Sequence, residues 1–379
     1  KPTILKIPNG LAPGVRQASD FLMGLQLTGA AKSDSITNLQ VRLPVVVIGG
    51  GLTAIDTATE SLAYYAVQVE KFLTRYEILV TDKGEEAVRA AWLEPEAEIA
   101  DEFLTHGQAI RAEKQTAQNE GRAPRILEML QSWGGAIVAY RRRMIDAPSY
   151  TLNHEEITKA MEEGIGFAEL LSPSAIDVDV AGNACAIQLE KQALSEEGKL
   201  SGTGETITLP ARTILVAAGT QPNTVLAREH GGVYQLDGKY FNAIDDNGDK
   251  VSPEWSAKPD KPYVLMELDE HSVDHSFFGD LHPSFSGNVV SAMASAKEGY
   301  PAITRSLSRR KKNPVSGAKL FEHLQHSLRP KIHAVNRLTP TIVEVVVHAP
   351  RAARTFQPGQ FYRLQNFEAL APRVGDTKL

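Results

Sequence analysis

Three glycines and an alanine raise the first chemical possibility. In RLPVVVIGGGLTAID, residues 42 to 56, the pattern Gly49-x-Gly51-x-x-Ala54 follows an apolar run and opens a helix-like stretch. Gly49 allows a tight turn. Gly51 removes a Cβ so that a pyrophosphate can approach the backbone, and Ala54 lets the helix pack close to the strand. Gly50, Leu52 and Thr53 complete the turn, where a helix N-terminus offers free N–H groups and a positive dipole end to phosphate. A plain strand-to-helix turn is the alternative, and the strand–turn–helix context favours a dinucleotide loop.

A second stretch could hold another phosphate. VAYRRR, residues 138 to 143, ends an apolar run in three arginines after Tyr140. In a dinucleotide fold the end of the second strand meets the adenosine ribose, where an acid favours NAD and arginines accommodate the 2′-phosphate of NADP. The planar guanidinium can grip phosphate through two hydrogen bonds. The usual separation from the glycine loop is about 20 residues, whereas 90 positions separate Gly51 from Arg141. The intervening stretch must then contain an insertion. On spacing alone a solvated strand end explains the arginines equally well.

Two further motifs lie downstream. AAGTQPN places Ala218, Gly219 and Thr220 after a buried strand, where a small-residue turn lets backbone approach a dinucleotide. In FFGDLHPSFSGNVV, Gly279 and Asp280 follow an apolar strand, and Gly287, Asn288 and Val289 open a helix. An Asp so placed can hydrogen-bond polyol hydroxyls, and the helix start can face a flavin ring or a pyrophosphate. An ordinary strand–loop–helix with an exposed Asp is the alternative.

These residues need a scaffold. Residues 16 to 30 read as a helix, 42 to 48 as a parallel strand covered on both faces, and 57 to 132 as almost wholly helical. WGGAIVAY reads as the second strand. NHEEITKAMEEGIGF reads as a helix and a strand, with Asn153 and Glu156 placed as a capping box and Gly164 as the C-terminal stop. Residues 173 to 209 alternate as a β-meander expected on the sheet edge, and TILVAAG reads as another buried strand. Residues 226 to 275 are loop-rich, 276 to 303 give strand, loop and helix, 306 to 330 a linker, and 331 to 367 β structure.

Composition narrows the classes. The chain has 379 residues and a formal net charge of −6. An acidic chain disfavours a general nucleic-acid or anionic-membrane binder. Cys185, the one cysteine, excludes an internal disulfide, a CxxC pair and a cysteine-ligated iron–sulfur cluster, and fits a cytoplasmic location. No stretch reads as a membrane span. HSVDH (His271 to His275) lacks a third clustered ligand and reads as a loop, so no metal is expected. The basic run Arg309 to Lys312 reads as solvated. The start lacks Met, so a fragment is expected.

Together, GGGLTAID, AYRRR, NHEEITKAMEEGI, TILVAAGTQPN, FFGD and GNVVSAMASAKEGYP resemble the FAD- and NAD(P)-dependent pyridine nucleotide–disulfide oxidoreductase superfamily over roughly residues 1 to 305. They are most similar to the glutamate synthase small subunit and dihydropyrimidine dehydrogenase flavin-region type. The resemblance implies an NADPH-dependent flavin oxidoreductase, with NADP preferred to NAD and FAD as second cofactor. It implies that the glycine loop holds the pyrophosphate. It also implies that Arg141 and Arg142 grip the 2′-phosphate, with Glu156 on the next helix and Arg143 capping or facing solvent. Gly279 and Asp280 would meet the FAD ribityl chain, and Gly287, Asn288 and Val289 its ring. The family's first FAD fingerprint and its iron–sulfur cysteines are absent, and the helical insertion is additional.

RLTPTIVEVVVHAP and FQPGQFYRLQ, within residues 337 to 365, resemble the start of a ferredoxin-reductase-type flavin barrel. The expected α/β organisation is therefore an FAD-domain connector (1–30), a Rossmann-like three-layer NAD(P)-binding domain with insertion (31–225), part of an FAD-binding domain (226–305), a linker and a short C-terminal β segment. Electrons would pass to other domains or subunits of a larger redox protein. No catalytic side chain is needed, since the cofactors carry the chemistry. A non-catalytic nucleotide-binding or scaffold module is the competing class, favoured by the missing FAD fingerprint.

Overall fold

A computed structural model describes residues 1–230, 232–256, 258–268, 274–287, 289–310, 314–362 and 371–378. Two compact units emerge: residues 1–221 with 367–379, and residues 222–366.

In the first unit the chain runs through β1 (Val15–Gln17), α1 (Ala18–Leu27), β2 (Val45–Ile48), α2 (Leu52–Lys83), α3 (Glu85–Arg89), α4 (Glu94–Glu120), α5 (Ile126–Ser132) and β3 (Ala136–Tyr140). It continues through α6 (Pro148–Glu162), β4 (Gly166–Glu169), β5 (Leu171–Val178), β6 (Ala184–Leu194), β7 (Leu200–Pro210) and β8 (Thr213–Val216). Five strands form one all-parallel sheet in the order β1-β8-β2-β3-β4. The β2 sequence VVVI is buried at every position, as a parallel strand covered on both faces requires.

Side-chain alternation along β2 divides that burial. Val45 and Val47 join the helices in one core with Phe21, Ile55, Tyr65, Phe103 and Ile157. Val46 and Ile48 join a second core with Ile176, Ile187 and Leu189 of the β5-β6-β7 meander. The unit therefore has three layers: helices, parallel sheet and antiparallel meander. The meander covers the face of the sheet, not the edge anticipated from sequence. Its alternating apolar positions need a partner surface, and Val46, Ile48, Ala139 and Ile214 supply one.

The insertion is a helical hairpin. α2 and α4 pack with Gly107 against the backbone of α2, where a Cβ would lie 2.7 Å from the Val69 carbonyl oxygen. Tyr65 meets Phe103 edge to face. Glu102 of α4 accepts hydrogen bonds from Arg42 (2.7 Å) and Arg212 (2.5 Å), which stand just before β2 and β8. The insertion is thus tied to the amino-terminal edge of the sheet.

α6 begins at Pro148, five residues before the expected capping box. Pro at the first helical position explains the early start. Asn153 breaks helical geometry (φ −158°, ψ 81°). Its side-chain amide donates to Glu156 Oε1 at 3.3 Å instead of forming a reciprocal cap.

The second unit contains α7 (Leu226–Glu229), β9 (Leu236–Asp237), β10 (Tyr240–Phe241), β11 (Ala243–Ile244), β12 (Lys250–Val251), β13 (Leu265–Glu267), β14 (His275–Ser276) and α8 (Val289–Ser308). Its cores centre on Phe241 and Phe277, and on Val264 and Phe285. α9 (Gly317–Leu328) forms inside the stretch read as a linker. Leu320, Leu324 and Leu328 recur at helical spacing there, and Ser316 caps the start by accepting from the Lys319 N–H. β15 (Lys331–Arg337) and β16 (Val343–His348) form a hairpin, α10 spans Pro350–Thr355, and residues 363 to 365 of the barrel-like motif lie outside the described residues. The last strands, β17 (Arg373–Val374) and β18 (Thr377–Lys378), belong to the first unit. Among the described residues no helix is long and apolar enough to cross a membrane.

Candidate functional site

Parallel register brings the candidate loops of the first unit together. Ile48 at the end of β2 pairs with Val216 of β8 on one side and Ala139 of β3 on the other. The segments that follow, Gly49–Ala54, Ala217–Thr220 and Tyr140–Arg142, leave the sheet at one edge. From β2 the chain passes to β3 and β4 on one side, while β8 joins on the other. Open α/β sheets bind ligands outside the carboxyl ends of the strands at such a switch point.

The three glycines are there for different reasons. A Cβ at Gly49 would lie 2.4 Å from the Ala217 carbonyl oxygen, and one at Gly50 would lie 2.4 Å from the Tyr140 ring. At Gly51 nothing lies within 4 Å. The space over Gly51 is open, at the N-cap of a 32-residue helix whose end has no side-chain cap. Ala54 donates its N–H to the Gly51 carbonyl at 2.9 Å. The N–H groups of Gly50, Gly51, Leu52 and Thr53 make no hydrogen bond to the described residues. Four consecutive free donors beside an open cradle fit a pyrophosphate.

The arginines divide. Arg143 donates to Asp146 through Nε (2.7 Å) and Nη2 (3.0 Å), which holds the Asp146 carboxyl below its ordinary range. Arg142 donates through Nη1 to the Gly198 carbonyl at 3.3 Å. Arg141 is exposed and makes no hydrogen bond or ion pair with the described residues. A free guanidinium beside the glycine loop can take a phosphate.

Ala218, Gly219 and Thr220 are exposed at the end of β8. The Gly219 carbonyl already accepts the Thr3 N–H at 3.0 Å, and Thr220 bridges to Pro2. Glu156 lies near Asp56 of α2. Burial, and then the Glu156 charge, raise the Asp56 carboxyl above its ordinary value although the residue reaches solvent.

Gly279, Asp280, Gly287 and Val289 belong to the second unit. Asp280 sits in a 3-10 turn, Gly279–Leu281, after a strand of two residues, shorter than the sequence suggested. The Gly279 N–H donates to Ser295 Oγ at 2.9 Å, and the Gly287 N–H to Asp280 Oδ1 at 3.3 Å. Val289, Val290 and Met293 expose more than two thirds of their surface at the start of α8. Asn288 lies outside the described residues, as do His271, Ser272 and Val273 of HSVDH.

Ser149 was missed by sequence reasoning. It is fully buried, and both its N–H (3.0 Å) and its hydroxyl (2.9 Å) donate to the Gly50 carbonyl. The Pro148 helix start is the signal that would have drawn attention to it.

No family model matches the chain. Among curated proteins it is similar to the uncharacterized protein RP006 of Rickettsia prowazekii (strain Madrid E), at 33% identity over 379 residues, covering 97% of this chain and 45% of that protein. The chain therefore spans less than half the length of that relative. Among solved structures it is similar to FprA of Mycobacterium tuberculosis in complex with NADPH, at 15% identity over 86% of this chain and 67% of that chain, with a TM-score of 0.46. It is also similar to an FAD-dependent pyridine nucleotide-disulphide oxidoreductase from Desulfovibrio vulgaris (15% identity, 65% and 39% of the two chains, TM-score 0.32). A third is thioredoxin reductase of Lactococcus lactis (13% identity, 70% and 53%, TM-score 0.34).

Proposed function

We propose that this chain is the nucleotide-holding part of an NADPH-dependent flavin oxidoreductase. The observation that carries the reading is the open cradle at Gly51, with four free N–H groups beside it and Arg141 just past the end of the neighbouring β3. The first unit would hold the dinucleotide. Gly49 to Ala54 receive the pyrophosphate, Ala218 to Thr220 line the neighbouring strand end, and Arg141 selects the 2′-phosphate of NADPH over the hydroxyl of NADH. Arg142 has a backbone partner to leave before it can help.

The second unit would contribute part of an FAD site. Gly279 and Asp280 would approach its polyol, and Gly287 and the exposed apolar start of α8 its ring. Bound cofactors supply the hydride and electron chemistry, and the chain's residues bind, orient and exclude water. Electrons would then reach a further redox centre in other domains or subunits, in the cytoplasm, in the manner of the glutamate synthase small subunit type.

Fluorescence titration of the 379-residue protein with NADPH and NADH tests the reading. NADPH should bind more tightly. Arg141→Ala should weaken NADPH by about 1.5–3 kcal/mol, the worth of a charged hydrogen bond, and leave NADH nearly unchanged. Equal, negligible binding of both nucleotides would overturn it.

A further inference from the structure

The glycine loop is held in place from outside the loop. The Gly50 carbonyl accepts two hydrogen bonds, both from Ser149 at the start of α6. The Tyr140 ring occupies the position where a Gly50 Cβ would stand. Together these fix the Gly50–Gly51 peptide plane. In a trans peptide the N–H points opposite to the C=O. With the carbonyl turned to Ser149, the Gly51 N–H faces away from it, and Gly51 itself borders open space.

We infer that Ser149 is a positioning residue, which aims the Gly51 N–H at the pyrophosphate of the bound dinucleotide. The inference rests on the dinucleotide reading above. Ser149 touches no ligand itself. Its hydroxyl and amide hold the peptide against rotation, so the donor is oriented before the anion arrives. Because Ser149 follows the arginine segment in the chain, one contact joins the loop for the pyrophosphate to the element that carries Arg141.

Calorimetric titration of the 379-residue chain with NADPH and with NADH, alongside thermal melts, separates this role from a merely structural one. Ser149→Ala keeps the backbone donor and removes the hydroxyl. It should weaken both nucleotides by a similar factor of about ten, on the scale of one hydrogen bond, because both carry the pyrophosphate. The preference for NADPH should survive, and Ser149→Thr, which keeps the hydroxyl, should restore affinity. Arg141→Ala should show the opposite pattern, a changed preference. Should Ser149→Ala fail to fold, Ser149→Cys, close in size and a weaker donor, should bind both nucleotides more weakly. Wild-type affinity in a folded Ala or Cys variant would overturn the role of Ser149 and leave the dinucleotide site standing. Binding of neither nucleotide by the wild type would overturn the site and this proposal together.

Discussion

Gly49 and Gly51 stand two positions apart and should respond oppositely to the same substitution. At Gly49 a methyl group would press on the Ala217 carbonyl at 2.4 Å, and neither strand end can retreat from the sheet. Gly49→Ala should therefore lower stability by about 1–3 kcal/mol, the usual cost of overpacking, read as a fall in the urea midpoint. At Gly51 the methyl group meets nothing, and the residue has extended geometry (φ −95°, ψ 171°) open to any side chain. Gly51→Ala should lower stability by less than about 1 kcal/mol, the gap between Gly and the poorer N-cap Ala. It should nonetheless weaken NADPH at least tenfold by filling the cradle. A Gly51→Ala protein that binds normally would mean that phosphate does not approach there. Two of the three glycines have a steric reason inside the fold, Gly49 against the Ala217 carbonyl and Gly50 against the Tyr140 ring, while Gly51 stands free of such a constraint. The division among the arginines was not readable from sequence, because the partners Gly198 and Asp146 are set by tertiary packing and by a local turn.

The insertion is where the elements depend most on buried charge. Glu102 faces Arg42, and both side chains are almost wholly buried, while Arg212 reaches the same carboxylate from a more exposed position. Stranding a buried charge outright costs about 3–5 kcal/mol; here Arg42 keeps Glu98 at 3.3 Å and Arg212 keeps the Leu43 carbonyl, so the loss should fall below that range. Glu102→Gln should lower the urea midpoint accordingly, and Arg42→Met with Glu102→Leu should recover part of the loss. His106 gives the same helix a pH dependence. Its ring stacks on Trp133 at 3.7 Å and shares a 2.6 Å hydrogen bond with the Tyr65 hydroxyl. Burial depresses its pKa; the Glu102 charge opposes that shift and Arg212 adds to it. The unfolded chain thus takes up the His106 proton near pH ~6.5 while the fold still resists it. Stability should be full above that value and fall as the pH drops below it, until the folded ring is itself protonated. His106→Asn should flatten this part of the profile of melting temperature against pH. A profile unchanged by the substitution would remove His106 as its cause. Helical character across residues 57 to 132 was legible in composition. The pairing of α2 with α4 was not, because Gly107 and Glu102 acquire meaning only once the helices meet.

At the scale of the whole chain, the parts legible in sequence were those whose pattern is local. VVVI before GGG gave a doubly covered strand, and alternation gave the meander. The meander's seat on a sheet face depended on which side of Val46 and Ile48 remained uncovered, which no local pattern states. α9 was hidden by the breakers and charges that precede it. The two units carry separate buried cores, and the proposed dinucleotide site lies wholly within the first. Ligand binding stabilises what it binds. At NADPH concentrations about 100 times Kd the gain is about 2.7 kcal/mol. For a unit of this size that is roughly 5–10 °C in melting temperature. Calorimetry should therefore show NADPH raising the transition of the first unit, with NADH acting only at higher concentration. The transition of the second unit should not follow. In Gly51→Ala, weakened tenfold or more, the NADPH shift at the same concentration should fall to about half or less, while the ligand-free transition moves far less than in Gly49→Ala. An undiminished shift in Gly51→Ala would locate the nucleotide away from the glycine loop, and its reduction would tie the stabilisation to that single open position.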